Sequence, residues 1–370
     1  MKSFRTISRI IVGLVFIFSG FVKGVDPMGF VFQIQDYFVA FGTPWANNFA
    51  LFLSISQSAL EFVIGISLLF NLWIKGSAWV LLPMMIFYTF LTFFNYIYNL
   101  VPECGCFGDA VKMTNFQTFM KNIILMVFVI PVFMNRKKYR GLFHMNGNTL
   151  ILLAFTGAFT AMSLYSYRHL PIIDFMNWKV GNRINEKAPA TAVKFYVTYK
   201  NKKTGEKKEF LTPNYPWNDS VWMSQWAFVG QRADDQNKGQ ALTLRVEDEG
   251  GNDMTRSILD NPDLQFILVA YNLSETNIDA FHRILPFAKK AANEGYSFIC
   301  ITNSFGAEMK KFRMDNGTMF DYYSADDVVL KTMVRSNPGL VLIKNGIVLK
   351  KWSYFDFPDY ESVKKEFAGK

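Results

Sequence analysis

Five runs of apolar residues occupy the first half of the chain, near Ile10 to Val25, Phe49 to Trp73, Ser77 to Tyr98, Phe116 to Met134 and Thr149 to Tyr167. Each is close to the roughly 20 residues that cross a bilayer core, so each predicts a transmembrane helix. After about Lys179 no run of that length recurs. The pattern there alternates short strands with amphipathic helices. Phe266 to Tyr271 reads as a buried strand. Ile278, Phe281, Ile284, Leu285 and Ala288 repeat at helical spacing behind Ser274 as a candidate cap, and Tyr296 to Thr302 returns as a strand, which completes a βαβ unit. Asp326-Asp327 opens a short helix through Val334. Asn337-Pro338-Gly339 then leads into the strand Leu340 to Ile343, an Asn345-Gly346 turn, the strand Ile347 to Trp352 and a last helix from about Tyr360 to Phe367.

Composition agrees with a chain of two kinds. Its 370 residues are 51% hydrophobic and 17% aromatic, yet the mean hydropathy of +0.12 is too low for a protein that is membrane throughout. The expected fold class is therefore multi-domain, an all-α transmembrane bundle of four helices plus a fifth span, followed by an α/β domain. Boundaries are expected at 1–145 for the four-helix domain, 146–180 for the fifth helix and linker, and 181–370 for the second domain.

Orientation follows from Lys and Arg. Lys2, Arg5 and Arg9 precede the first span, Lys75 separates the second from the third, and Arg136, Lys137, Lys138 and Arg140 separate the fourth from the fifth. These segments read as cytoplasmic. The loop between the third and fourth spans and everything after Tyr167 then lie outside, in the periplasm where the cell has an outer membrane. Lys23, Lys112 and Lys121 run against this rule, and Lys23 and Lys121 have stems long enough to snorkel. The first run has the basic start of a secretory signal, but no A-x-A-like site follows Phe18-Ser19-Gly20, so it reads as a retained helix. Between the first two spans, Phe30, Ile34, Phe38 and Phe41 repeat at helical spacing after Asp26-Pro27 and suit a helix in the outer interface.

The net charge of +9 does not call for nucleic acid. Its basic residues are spread over both halves, topology and anionic headgroups account for much of it, and no basic-aromatic motif or phosphate-binding Gly loop is present. The expected partners are the lipid bilayer and a membrane or extracytoplasmic protein.

Chemistry concentrates in the outer loop Pro102-Glu103-Cys104-Gly105-Cys106-Phe107-Gly108-Asp109, which holds two of the three cysteines. Two thiols one residue apart, with only Cys300 and three scattered histidines besides, do not assemble a four-ligand metal site. Cys104 and Cys106 are the candidate redox pair. Their disulfide would close a very small ring, which favours electron acceptance, and the competing reading is a structural staple before the fourth span. Glu61 is the polar exception in the second span, where a carboxylate costs on the order of 3 kcal/mol and needs a partner. Gln57 lies one turn away on the same face. Glu61 reads either as packing glue, protonated and bonded to hydroxyls such as Ser19, or as a proton acceptor or quinone-side polar group. No cofactor is expected, and a quinone is compatible with the span without being called for.

The residues Arg9 to Lys23, Glu61 and Cys104-Gly105-Cys106-Phe107-Gly108 together resemble the DoxX and MauE group of small membrane proteins, over about residues 5 to 140. The resemblance implies a four-helix bundle associated with redox maturation of extracytoplasmic proteins, MauE being linked to methylamine dehydrogenase assembly. The second half resembles the thioredoxin-like fold of membrane-tethered TlpA-type proteins over about residues 181 to 368. There Pro338 matches the proline that is cis in that family, and Gly181 with Ala188-Pro189 matches its entry motif. The departure is chemical: where the Trp-Cys-x-x-Cys should follow Tyr271, the chain reads Asn272-Leu273-Ser274-Glu275-Thr276-Asn277. No thiol stands there, so this domain lacks the usual dithiol exchange.

The other candidates read as structural. Cys300 sits inside the apolar strand Phe298-Ile299-Cys300-Ile301, where a thiol behaves as a small hydrophobe rather than a partner for Cys104 or Cys106. Lys202 to Lys208 forms a charged hairpin turn. Trp217, Trp222, Trp226 and Phe228 make an aromatic insertion that is either a second core or a partner surface. The function these features support is assistance to thiol redox or maturation of exported proteins by a multi-pass protein of the inner membrane. A non-enzymatic membrane scaffold with a structural cysteine pair is the alternative.

Overall fold

The computed structural model describes residues 2–101, 105–139, 145–184, 195–211, 216, 220–233, 244–304 and 306–367. The chain divides into two compact units, Met1–Phe175 and Met176–Lys370.

The first unit is helical: α1 (Lys2–Val25), α2 (Pro27–Ala40), α3 (Ala50–Phe70), α4 (Ile74–Tyr98), α5 (Asn115–Met134) and α6 (Met145–His169). Among the described residues, five stretches are long and apolar enough to cross a membrane, Ser3–Val25, Pro44–Phe70, Ile74–Tyr98, Asn115–Met134 and Asn146–His169. The sixth helix, α2, is shorter. It begins where Asp26 accepts a hydrogen bond from the Gly29 amide at 2.9 Å and Pro27 occupies the first turn, which tolerates a residue without an N–H. α5 opens with a reciprocal box between Thr114 and Gln117.

Two helix pairs make the bundle, α1 with α3 and α4 with α5. The first pair is close because glycine removes the side chains between the backbones. A Cβ on Gly20 would stand 2.6 Å from both the Phe62 nitrogen and the Ser58 carbonyl, and one on Gly65 would stand 2.6 Å from the Ile17 nitrogen. α6 packs on α1 and α3, with Phe159 stacked on Phe62 at 4.7 Å. The core between the pairs holds Val12, Phe16, Ile64, Leu68, Leu81, Met85, Leu125 and Val129.

The basic residues gather at one end of this bundle. Arg9 donates to the carbonyls of Leu68 and Leu69, where the last turn of α3 leaves acceptors unmatched. Arg136 lies 5.0 Å from the Trp79 ring centroid, and the Tyr139 hydroxyl donates to the Arg5 carbonyl at 3.1 Å. The start of α1, the turn from α3 to α4 and the end of α5 therefore share that end, and the Cys106 loop lies at the other.

Among the described residues, the second unit contains two sheets. β1 (Phe195–Asn201), β2 (Lys207–Leu211) and β3 (Trp226–Ala233), with α7 (Ser220–Gln225), form a small antiparallel sheet in the order β2-β1-β3. The charged segment Lys202 to Lys208 makes its hairpin. Tyr199 and Trp226 are buried against Phe210 and Trp222, the two tryptophan rings stacking at 5.3 Å, so this part of the aromatic insertion is a core. Trp217 and the Phe228 side chain lie outside the described residues, as do Ala188 and Pro189.

The larger sheet comprises β4 (Val246–Glu247), β5 (Gln265–Val269), β6 (Ser297–Thr302), β7 (Asp321–Ala325), β8 (Gly339–Lys344) and β9 (Ile347–Ser353). Its order is β4-β7-β6-β5-β8-β9, with β5, β6 and β7 parallel and the flanking β4, β8 and β9 antiparallel to their neighbours. β5 is buried along its whole length, which is why Phe266 to Val269 reads as a continuous apolar run rather than an alternating one. α8 (Thr255–Leu259), α9 (Ile278–Asn293), α10 (Gly306–Asn316), α11 (Asp327–Met333) and α12 (Tyr360–Phe367) complete the unit. Phe281, Ile284 and Phe287 of α9 pack on Phe266, Leu268, Cys300 and Leu340 of the sheet.

Two local expectations change. The cap of α9 is Asn277, whose side chain accepts from the Ala280 amide at 2.9 Å, whereas Ser274 belongs to a preceding 3-10 turn, Leu273–Glu275. α10 and β7 were not read from the sequence. Their few apolar residues are too sparse to set a periodicity.

Candidate functional site at the Cys106 loop

Cys104 lies outside the described residues; Cys106 is half-buried. Two glycines shape the turn, Gly105 at φ +61° and Gly108 at φ +50°, conformations that cost other residues energy. The Gly108 amide donates to the Gly105 carbonyl at 3.0 Å and closes the turn. The Gly105 backbone also lies against α2, because a Cβ there would overlap the Gln33 carboxamide.

This turn is not a freely exposed loop. The Ser19 hydroxyl of α1 donates to the Cys106 carbonyl at 2.7 Å. Phe107 wedges between Phe18, edge-on at 5.3 Å, and Lys121 of α5, whose Nζ lies 4.5 Å from the ring centroid. Gly108 is close enough to Val22 and Lys23 that a Cβ there would sit 3.3 Å from the first and 3.9 Å from the second. A Cys-Gly-Cys-Phe-Gly segment can reach α1 in this way because the glycines admit the backbone and the phenylalanine anchors it.

Behind the turn lies a line of polar groups, buried at Lys23 and Glu61 and half-buried at Tyr88 and Gln57. Lys23 Nζ is 2.5 Å from Glu61 Oε2, with side-chain exposures of 3% and 2%. The Tyr88 hydroxyl of α4 donates to Glu61 Oε1 at 2.7 Å, and Gln57 Nε2 donates to the Tyr88 oxygen at 2.8 Å. Lys23 also lies over the Phe30 ring of α2, 4.8 Å from its centroid. Two charges removed from water at this depth are tolerable only when they meet with good geometry and their remaining valences are filled. The tyrosine serves Glu61 Oε1 and the Phe30 face serves the cation, while Glu61 Oε2 meets Lys23 as an ion pair without a hydrogen bond of its own.

The structure thus brings together Lys23, Glu61 and Gln57, but with other partners than the sequence suggested. Ser19 serves Cys106 and not Glu61. Lys23 does not snorkel outward, because a carboxylate one helix away offers a nearer counter-charge than the headgroups. Tyr88 was missed. A tyrosine in the aromatic run Phe87-Tyr88-Thr89-Phe90 carries no periodic signal of its own, and only the pairing of α3 with α4 shows which acceptor it meets.

Residues 1–134 match the family model described as methylamine utilisation protein MauE. The match ends with α5, at the end of the four apolar helices α1, α3, α4 and α5. It covers rather more than a third of the 370 residues and includes Lys23, Glu61, Tyr88 and Cys106. The chain carries a MauE-like membrane region, and with five membrane-length helices it is a multi-pass membrane protein. A comparison with curated proteins gives no match.

Outside the MauE-like region, the other candidates behave differently. The Asn337–Pro338 peptide is cis. Asn337 faces the segment that stands in place of the sought thiols: its Nδ2 donates to the Asn272 carbonyl at 2.8 Å, its Oδ1 accepts from Thr276 Oγ1 at 2.8 Å, and its carbonyl accepts from the Asn277 amide at 3.1 Å. Cys300 is fully buried, paired in register with Leu268 on one side and Tyr322 on the other. Burial pushes its thiol well above the ordinary range, with a weak opposing pull from a hydrogen bond to the Ala270 backbone. Among the described residues no cluster of three or more His, Cys, Asp or Glu could hold a metal ion.

Proposed function

We propose that this protein assists thiol oxidation or disulfide maturation of exported proteins, with Cys104 and Cys106 as its redox pair. The observation that carries this reading is the seating of the Cys106 turn on Ser19, Val22 and Lys23, beside the buried pair Lys23 and Glu61 and the half-buried Tyr88 and Gln57. A structural staple has no need of a buried ion pair behind it. A thiol that must gain and lose a proton benefits from one, because a nearby cation favours thiolate and a nearby carboxylate can receive a proton.

The gathering of Arg5, Arg9 and Arg136 at the opposite end supports a cytoplasmic N-terminus and an extracytoplasmic Cys106 loop, in the inner membrane of a cell with two membranes. On that orientation the second unit is extracytoplasmic. Its order β7-β6-β5-β8-β9, parallel in the first three strands and antiparallel in the last two, together with α9 between β5 and β6, supports a thioredoxin-like reading of residues 181–370. Asn337 fills with hydrogen bonds the place where that fold would carry its dithiol. Such a unit holds a partner rather than oxidising it, and the redox work falls to the membrane half. By the name of the matched family, a methylamine-utilisation protein is one candidate client.

The scaffold reading keeps one specific support, the absence of cysteine from 272–277. Replacing both Cys104 and Cys106 by Ser separates the two. Client proteins accumulate reduced thiols in the variant if the pair is redox-active, and stay oxidised if the protein is a scaffold. Expression is expected to remain near normal, because so small a ring removes little entropy from the unfolded chain.

A further inference from the structure

The charged hairpin between β1 and β2 has no part in the thiol chemistry, and its lysines are placed against one another. The two strands pair antiparallel in a register that sets Lys200 directly opposite Lys207. Directly opposed residues share a face of the sheet, so two ammonium groups stand side by side there. Like charges in that position repel, and a ribbon that carries them uncovered is weakened.

The protein does not cover them. Among the described residues none of Lys200, Lys203 and Lys207 takes part in an ion pair. Lys208 approaches Glu206 at 3.6 Å and lies over the Trp226 ring, 4.9 Å from its centroid, and Lys202 donates to the Ser224 carbonyl at 2.8 Å. Glu209, next along the Lys207 face, accepts from Thr198 Oγ1 at 3.4 Å. Elsewhere in this unit lysines do meet carboxylates: Lys350 with Glu366 and Lys364 with Glu294, both at 2.8 Å, and Lys331 with Asp327 at 2.6 Å. The hairpin is where positive charge is left over.

Its turn presents that charge to the surroundings. Lys200 and residues 202–209 are exposed. Asn201 Oδ1 accepts from the amides of Lys203 and Thr204 at 2.9 and 3.0 Å, and Gly205 takes φ +74°, so the tip is tightly wound. The Lys200 stem runs along it, its Cε 3.8 Å from where a Cβ on Gly205 would stand. Lys200, Lys203 and Lys207 therefore gather at one end of the ribbon.

The chain itself says which anion is at hand. α6 is a membrane-length helix that ends at His169, and the second unit begins at Met176. The intervening segment 170–175 spans at most about 25 Å when fully extended. The second unit is thus held near the headgroups of the leaflet on which α6 ends, whatever way it faces. A contact with them forms without the loss of freedom that capture of a separate partner costs. Each basic side chain held at an anionic lipid surface strengthens such a contact roughly fivefold.

We propose that the β1–β2 hairpin docks on anionic phospholipid headgroups through Lys200, Lys203 and Lys207. The docking stops the second unit from turning freely on its tether. It is independent of the thiol reading, because a scaffold would need its outer unit oriented as much as a redox protein would.

The test uses the full-length protein in nanodiscs of phosphatidylcholine, alone or with about one third phosphatidylglycerol. Lysines are acetylated briefly with an uncharged N-hydroxysuccinimide ester and read one by one by mass spectrometry. With phosphatidylglycerol, Lys203 and Lys207 should react at least about fivefold more slowly than in phosphatidylcholine alone. Sodium chloride at about 0.5 M, which screens exposed charges beyond a few ångströms, should restore the rate. Lys289, exposed on α9, is the internal reference and should react equally in both discs. Replacing both opposed lysines, Lys200→Gln with Lys207→Gln, should return Lys203 to its phosphatidylcholine rate, the variant being checked for an unchanged elution profile. Equal wild-type rates in the two lipids overturn the proposal. So does protection already complete in phosphatidylcholine, as a protein contact would give, or equal protection by millimolar inorganic phosphate in phosphatidylcholine discs, as a free-anion site would give. Protection of Lys203 that persists in the double variant overturns it as well.

Discussion

Lys23 and Glu61 meet 2.5 Å apart inside the MauE-like bundle, both nearly inaccessible, and Glu61 is at the same time the acceptor for Tyr88. The pair joins α1 to α3 and, through the tyrosine, to α4. It is the electrostatic centre of this half of the molecule.

Removing one member of such a pair strands the other. Lys23→Met or Glu61→Leu alone should destabilise the bundle by about 3–5 kcal/mol, whereas the double replacement should cost clearly less than the sum. Denaturant titration of the purified protein in mild detergent measures all three. Additive losses would mean that the two groups do not depend on each other.

The contact of α1 with α3 depends on missing side chains. Gly65→Val would push a branched side chain into the Ile17 backbone, at a cost of about 1–3 kcal/mol. Gly157, around which the structure leaves open space, is the control, and Gly157→Ala should leave the thermal unfolding midpoint unchanged.

How much of this was legible beforehand differs between fold and site. The five spans follow from apolar length alone, and β5, β6, β8 and β9 from short apolar runs bounded by turn residues. α10 escaped because Gly306 to Asn316 is mostly polar and exposed, with Met309 buried and Phe312 packed against the core. β7 escaped because Asp321-Tyr322-Tyr323-Ser324-Ala325 is too short and mixed to show alternation. In the site, Lys23, Glu61 and Gln57 were visible because a polar residue in an apolar span is costly wherever it points. Their mutual arrangement was not, since it depends on which helices become neighbours. Tyr88 was hidden by the aromatic composition around it, and Ser19 was assigned to the wrong acceptor because one sequence cannot show that the Cys106 turn reaches down to α1.

Cys300 gives a prediction in pH. Its folded-state thiol is raised by burial, so the folded protein holds that proton where the unfolded chain, near the ordinary value of about 8.5, has released it. The unfolded state then binds fewer protons, and stability from this group, complete below that value, falls as pH rises through it. Native protein at pH 8 should leave Cys300 unmodified by iodoacetamide, with full reaction only after denaturation. Rapid native modification would place the thiol outside the core.

Asn337 ties the segment 272–277 to the loop before β8. Asn337→Ala removes two side-chain hydrogen bonds and should cost about 1–3 kcal/mol. Hydrogen exchange followed by mass spectrometry should show faster exchange of the amides around Thr276, while the buried strand β5 keeps its protection.

The most direct test of the account is a redox titration of Cys104 and Cys106 in intact membranes, read by the mass shift of a maleimide that cannot cross the bilayer, in a Cys300→Ser background. The account predicts that the pair passes reversibly between a reactive reduced form and an unreactive oxidised form across a glutathione series, and that Glu61→Gln displaces the midpoint. A pair that stays in one state across the whole series, or that labels only when reagent is supplied from the cytoplasmic side, would contradict it.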